Sequence, residues 1–231
     1  MKLTRIIKWV ILTPIILFLL LQLYFLLQIC WWIKFDPSSS SFMREQESIL
    51  REKNPNFELK HQWVPYARIS KNLKRAVIAA EDDGFVDHEG VNWEAMQKAF
   101  DKNKKRGKVV SGGSTITQQL AKNLFLSGQR SYYRKGQELI IAYMLELCLE
   151  KERILEIYLN VVEWGVGVFG AESASKHYYG NSAAALSPSQ AARLAVMLPK
   201  PRYYDKNRGS AYLQRRTETI LKRMNSADLP K

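Results

Sequence analysis

At 231 residues the chain has room for one sizeable domain, or one domain and a small lobe. Its formal charge of +13 suits a phosphorylated substrate, anionic lipid headgroups or nucleic acid. Two cysteines give no disulfide framework, and His61, His88 and His177 lack a metal-ligand spacing, which argues against a zinc site.

No charged residue occurs from Trp9 to Ile33. As a helix rising 1.5 Å per residue this run spans roughly 37 Å, enough to cross about 30 Å of hydrocarbon. Lys2, Arg5 and Lys8 before it predict a cytoplasmic N-terminus, and Trp31 and Trp32 suit the far interface. The run is too long for a cleaved signal peptide and no A-x-A site follows it. Leu27-Gln-Ile-Cys30 places bulky residues where a lipoprotein signal needs small ones. Residues 1–34 therefore read as an uncleaved anchor, with everything after Lys34 outside the cytoplasmic membrane. Lys2, Arg5, Lys8 and Lys34 take four charges, leaving 13 − 4 = +9 on the exported part, where nucleic acid is not the expected partner.

Pro37 and Ser38–Ser41 predict a hinge, and residues 42–69, interrupted by Pro55 and Pro65, short or irregular structure. Residues 35–64 thus form a hinge and membrane-proximal segment, ahead of a main domain over 65–231. From Lys71 the periodicity turns helical: Leu73, Val77 and Glu81 share a face, with Ala76 and Ala80 beside them. Asn92 is placed to cap a helix whose Trp93, Met96 and Phe100 point one way, ending in a basic loop over Lys102–Lys108. After Gly112 and Gly113, Thr115 and Gln118 have the capping-box spacing that opens another helix. Free N–H groups and a partial positive charge make such a terminus an anion site. A helix over 131–150 is joined or kinked to one over 151–159. Gly165, Gly167 and Gly170 mark a turn region, Ala171–Tyr178 a short helix stopped by Gly180, and Ser187-Pro-Ser-Gln190 a strong helix start ended by Pro199. A basic last helix covers about 210–224. Alternating strand patterns are nearly absent, so the head is expected to be mainly α. Cys30 in the anchor and Cys148 in an apolar helical pattern read as packing residues.

Glu81-Asp82 is an acidic pair at the end of an apolar helix, where partial desolvation makes a carboxylate a better base. Arg134, Glu138, Ala142 and Glu146 form one helical stripe, flanked by Tyr133, Leu139, Ile140 and Tyr143, which predicts Glu138 at the edge of a cleft. Ser173-Ala-Ser-Lys176 matches the S-x-x-K of penicillin-binding acylases, but no K-T-G follows and the remaining chain is too short for that domain.

Together these segments resemble the peptidoglycan glycosyltransferase family, over about residues 65–205. The resemblance rests on E-D-x-x-F-x-x-H-x-G at Glu81–Gly90, G-G-S-T-I-T-Q-Q-L-A-K-N at Gly112–Asn123, and R-K-x-x-E at Arg134–Glu138. Lys151-x-x-Ile-Leu-Glu-x-Tyr-Leu-Asn160, the Gly165–Gly180 block and Leu186–Tyr203 complete it. The anchor, the length and the missing acylase domain resemble the monofunctional members. Gly84 stands where many relatives carry a basic or polar residue, and Tyr179 where Phe is more usual.

The resemblance implies a mainly α, lysozyme-like head with a small membrane-proximal jaw lobe, in or next to residues 102–130, behind a single transmembrane helix. It implies polymerisation of lipid II into glycan strands, by inverting transfer to an acceptor sugar's 4-hydroxyl with release of undecaprenyl diphosphate. Glu81 matches the general base and Glu138 the second glutamate, which helps position the diphosphate. Asp82, Phe85, His88, Ser114, Thr115, Gln118, Gln119, Lys122, Asn123, Arg134 and Lys135 match substrate-binding positions, with His88 shaping the cleft. No cofactor is obligatory; a divalent cation, Mg or Mn, is admissible at Glu138. Implied partners are lipid II, the growing strand, the bilayer of the bacterial cytoplasmic (inner) membrane, and cell-division or elongation proteins. The chemistry agrees: a diphosphate leaving group needs cations more than an acid, whereas a glycosidase usually needs two carboxylates flanking the bond. Two rivals stay open, a membrane-bound lytic enzyme using Glu81 as an acid and a non-enzymatic scaffold binding headgroups.

Overall fold

The computed structural model describes residues 2–108, 112–126, 128 and 131–230, with side chains from Lys8 onward. The side chains of Lys2 and Arg5, and residues 109–111, 127, 129 and 130 of the expected jaw segment, lie outside the described residues.

Helix α1 (Lys2–Trp31) opens the chain. Among the described residues its stretch Lys8–Trp31 is the one helix long and apolar enough to cross a membrane. Helix α2 (Ser41–Lys53) corrects the expectation of irregular structure after the anchor. Ser40 accepts a hydrogen bond from the Met43 N–H at 3.1 Å, so the serine run ends in an N-cap. The helix is polar and buries little beyond Met43 and Gln46, which leaves a weak apolar signature in sequence.

There follow strand β1 (Lys60–His61), helices α3 (Lys71–Glu81), α4 (Trp93–Arg106), α5 (Ile116–Phe125), α6 (Tyr132–Cys148) and α7 (Lys151–Val161), and strands β2 (Glu163–Gly165) and β3 (Val168–Phe169). Helices α8 (Ala171–Tyr179), α9 (Pro188–Met197), α10 (Pro201–Lys206) and α11 (Ala211–Arg223) complete a mainly α architecture. Ser70, Asn92, Thr115, Ser131 and Ser187 each cap a helix by accepting from the backbone N–H three residues on. The basic run after Phe100 is not a loop: Lys102–Arg106 is the last part of α4, where good helix formers carry cations that complement the helix dipole.

Helix α3 lies on α9, α9 on α11, and α5 packs against both α6 and α7. Leu73, Val77, Ile116, Leu120, Ile141, Leu145, Tyr158 and Trp164 are fully buried between them, each stabilising by about 1.5–3 kcal/mol. The small sheet has the order β1–β3–β2, parallel then antiparallel, and ties Lys60 to Val168. The stripe on α4 faces outward, with Trp93 60% and Phe100 61% exposed. Tyr133, Ile140 and Tyr143 also face out, so they do not cover Glu138 as expected.

The anchor docks on the head. Gln22 Nε2 donates to Gln137 Oε1 at 3.0 Å, a polar contact strengthened by its apolar surroundings. Phe25 and Trp32 set their rings on Phe125, at 4.8 and 5.3 Å, and Ile29 is fully buried. Arg153 clasps the helix exit through the Trp32 carbonyl at 2.9 Å and through the Phe35 carbonyl and Asp36 carboxylate at 2.8 Å. The cysteines, expected as separate packing residues, meet here with Cys30 Sγ 3.7 Å from Cys148 Sγ.

Candidate active site

Glu81 is the last residue of α3, and Gln119 stands one turn into α5 facing it. Gln119 Nε2 donates to Glu81 Oε2 at 2.8 Å, while Tyr158 donates its hydroxyl to Gln119 Oε1 at 3.0 Å. Tyr158 is wholly buried on α7; the acceptor-only Glu81 carboxylate draws the N–H₂ end of the Gln119 amide, and the Tyr158 O–H then satisfies the amide oxygen. Burial pushes the Glu81 carboxyl above the usual carboxylate range, against the pull of the Gln119 hydrogen bond and the Lys122 charge. The neighbouring Asp82 charge adds to the rise, and Arg216 opposes it. A desolvated carboxylate held by one amide is suited to accept a proton.

The opposite side of the cleft is cationic. Arg134 Nη1 binds Glu138 Oε2 at 3.1 Å, and Lys135 Nζ binds Glu138 Oε1 and, at 3.1 Å, Ser114 Oγ. Lys122 projects beside them from α5. Burial lowers its pKa, a shift opposed by Glu138 and Glu81 and assisted by Arg134 and Lys135. A cavity of about 1340 Å³ joins Glu81, Ser114, Gln119, Lys122, Arg134, Lys135 and Glu138. A smaller one of about 420 Å³ shares Glu81, Ser114, Lys102 and Arg216 with it and adds Asp82, Asn92 and Lys98. Glu81 thus stands where the two cavities meet.

The remaining expected site residues do other work. Asp82 accepts from His88 Nε2 at 3.0 and 3.1 Å and from the Ile116 N–H at 3.0 Å. Thr115 donates its hydroxyl to the Gly90 carbonyl at 2.6 Å and accepts from the Gln118 N–H at 3.1 Å. Gln118 Oε1 in turn accepts from the Thr115 N–H at 3.0 Å. These bonds bolt the Glu81–Gly90 segment to the start of α5. They also correct the expectation that this helix terminus receives a phosphate, because the Asp82 carboxylate and the capping box already occupy it.

Phe85, His88, Gln118 and Asn123 line neither cavity. Phe85 is fully buried beneath the Lys151 ammonium, which lies 4.7 Å from its ring centre. Gln118 and Asn123 are buried on the core face of α5. In this structure Phe85, Gln118 and Asn123 support the residues that face the cleft, and His88, through Asp82, shapes it as expected of it. Gly113 is required by packing, since a Cβ there would lie 2.9 Å from the Met96 Cα. The S-x-x-K segment is inert as a nucleophile: Ser173 is buried and Lys176 binds Gln62 and Glu172.

The donor set does not fit a protein-held divalent cation. Both Glu138 oxygens are engaged by cations, and no cluster of three acidic, histidine or cysteine residues occurs among the described residues. Sequence reasoning missed Lys200, Tyr203 and Arg216 on the cavity wall. Lys200 lay inside the last recognised block, between Pro199 and Pro201, and Arg216 was one basic residue among several on the last helix. Neither position carried a signal of its own direction.

Comparison with known proteins identifies the family of the chain. The sequence model described as Transglycosylase matches residues 46–225, starting within α2. A biosynthetic peptidoglycan transglycosylase of Janthinobacterium sp. is 69% identical over 228 residues, covering 99% of each chain. Its namesake in Herminiimonas arsenicoxydans is 68% identical with the same coverage. That of Bordetella pertussis is 56% identical over 230 residues, covering 98% of this chain and 95% of its own. With most of its length matched and relatives this similar end to end, the chain belongs to the transglycosylase family, whose lysozyme-like helical fold is the one described above.

Proposed function

We propose that this peptidoglycan glycosyltransferase of cell-wall biosynthesis acts by Glu81-assisted transfer from a lipid-linked diphosphate donor, lipid II or the growing strand. The observation that carries this reading is the placement of Glu81 at the junction of two cavities, with Lys122, Arg134 and Lys135 lining the larger. The donor diphosphate faces those cations, and the acceptor sugar presents its 4-hydroxyl to Glu81. As the hydroxyl oxygen attacks the donor's anomeric carbon, Glu81 takes its proton and the bond from that carbon to the diphosphate breaks. The electron pair leaves with undecaprenyl diphosphate, and the α-linked sugar becomes β-linked.

The leaving group is a stable anion, so cations replace the acid that a glycosidase requires. A positioned base supplies about 10²–10⁴-fold, with alignment and electrostatics providing much of the rest. Glu138 acts through Arg134 and Lys135, holding the guanidinium and the ammonium towards the cavity. No step is routed through a metal.

The anchor, α1, crosses the bacterial cytoplasmic membrane once with its N-terminus inside, and the head, docked on α1 from Gln22 onward, sits partly sunk into the outer leaflet. Exposed Trp93, Phe100, Tyr133 and Leu147 supply apolar contact for that leaflet. Residues 1–34 serve as anchor, 35–64 as connection and 65–231 as the glycosyltransferase domain. The test is to mix the detergent-solubilised protein with purified lipid II and resolve the products by size. A ladder of glycan polymers is expected. No ladder, or shortening of preformed glycan strands, refutes the reading, the latter in favour of a lytic enzyme.

A further inference from the structure

The two cysteines in the chain are 118 residues apart, yet their sulfurs lie 3.7 Å from each other. Cys30 ends the anchor one residue before its last position, and Cys148 is the last residue of α6. The contact is not an isolated brush of two side chains. On one side the Gln22–Gln137 hydrogen bond sets α1 against α6, and on the other Arg153 holds the backbone at Trp32 and Phe35. The two thiols therefore face each other from backbones that are fixed independently above and below them. The sulfurs are already in van der Waals contact, within reach of the about 2.05 Å bond of a disulfide. Cys30 stands at the outer end of the span, one position before Trp31, where the interface gives a small thiol reagent access, and Cys148 is half-buried beside it.

We propose that Cys30 and Cys148 form a disulfide that staples the membrane anchor to the catalytic head once the head is outside the cytoplasm. Disulfides persist in that compartment and not in the reducing cytosol. The oxidant is a disulfide of a thiol-exchange protein or of a small thiol, RSSR. Cys30 at the interface, as thiolate, attacks one sulfur of RSSR, forming a mixed disulfide and releasing RS⁻. Cys148, after losing its proton, attacks the Cys30 sulfur and expels the second RS⁻. In balance, two protein thiols and RSSR give one protein disulfide and two RSH, so the protein is oxidised by two electrons and RSSR is reduced. Burial and the adjacent Cys30 push the Cys148 thiol up to about 11, so little of it is thiolate before the mixed disulfide brings a sulfur to attack within contact distance. The loop closed by the bond contains both Glu81 and Glu138, so the staple ties the carrier of the cleft directly to the membrane span.

The compartment belongs to the proposed function, but the pairing is tested on its own. Purified full-length protein is incubated with oxidised glutathione, then treated with a maleimide and analysed by intact mass and non-reducing gel. The expected product carries no maleimide, has lost the mass of two hydrogen atoms and migrates faster until a reductant is added. Cys148→Ser is expected to stop at a single glutathione adduct on Cys30. Two maleimides per chain, a glutathione on each cysteine of the parent, or a covalent dimer through Cys30 overturns the proposal. Polymerisation of lipid II by protein that gives one of those results leaves the proposed function standing and removes only the staple.

Discussion

Tyr158→Phe isolates the part of the site that no substrate touches. It deletes the hydroxyl that donates to Gln119 Oε1 at 3.0 Å and leaves the ring in its fully buried place. An acceptor left unsatisfied in the interior costs about 1–3 kcal/mol. With its oxygen unpaired the Gln119 amide is no longer held at both ends, and its N–H₂ is released from the position in which it points at Glu81. Glu81 loses the 2.8 Å bond that favours its charged form, so its carboxyl, already raised by burial, rises further. If about 1.4 kcal/mol of that penalty appears in the transition state, kcat falls about tenfold. The KM for lipid II stays near the parental value, because Lys122, Arg134 and Lys135 are untouched. The assay is the rate of lipid II polymerisation across pH, in which the acid limb should move to higher pH. A parental rate with an unmoved acid limb would show that Gln119 is oriented without Tyr158, and the relay would be wrong.

Three further substitutions test the other parts of the site. Glu81→Gln should lower polymerisation by about 10²–10⁴-fold. Because the fold raises the Glu81 pKa, the stability linked to its protonated form is full below about pH 4.5 and is lost as pH rises through the folded value. The Gln variant should therefore melt higher than the parent at neutral pH, with the difference closing below about pH 4.5; a lower melting point at neutral pH contradicts the burial argument. Lys122→Ala removes a charged partner for the diphosphate and should cost about 10–100-fold in kcat/KM, from about 1.5–3 kcal/mol for a charge-assisted bond. It should also remove the alkaline limb that the lowered Lys122 pKa places below the ordinary lysine range, and parental kinetics would sink the assignment. Gly113→Ala puts a methyl 2.9 Å from the Met96 Cα and should lower stability by about 1–3 kcal/mol in thermal melts. An unchanged melting point would mean that the backbone at Gly113 and α4 are not held in close contact.

The limits of sequence reading follow from which interactions are local. The helix starts at Asn92, Thr115 and Ser187 were legible because each cap closes within three residues. The α2 helix was not, since its cap lay inside a serine run and its packing on α5 involves residues far along the chain. The docking of the anchor was equally hidden: Gln22 reads as one tolerated polar residue until Gln137, 115 positions away, supplies its partner. The same distinction decides the acidic pair. In sequence Glu81 and Asp82 are two adjacent carboxylates at a helix end, both plausible as site residues. In space Asp82 is spent on the Ile116 N–H and His88, and holds α5 where Gln119 reaches Glu81. By filling the start of α5 it also leaves incoming phosphates to the Lys122, Arg134 and Lys135 side chains. Its remaining charge lifts the Glu81 pKa, so one carboxylate of the pair builds the cleft and keeps the other fit to receive a proton.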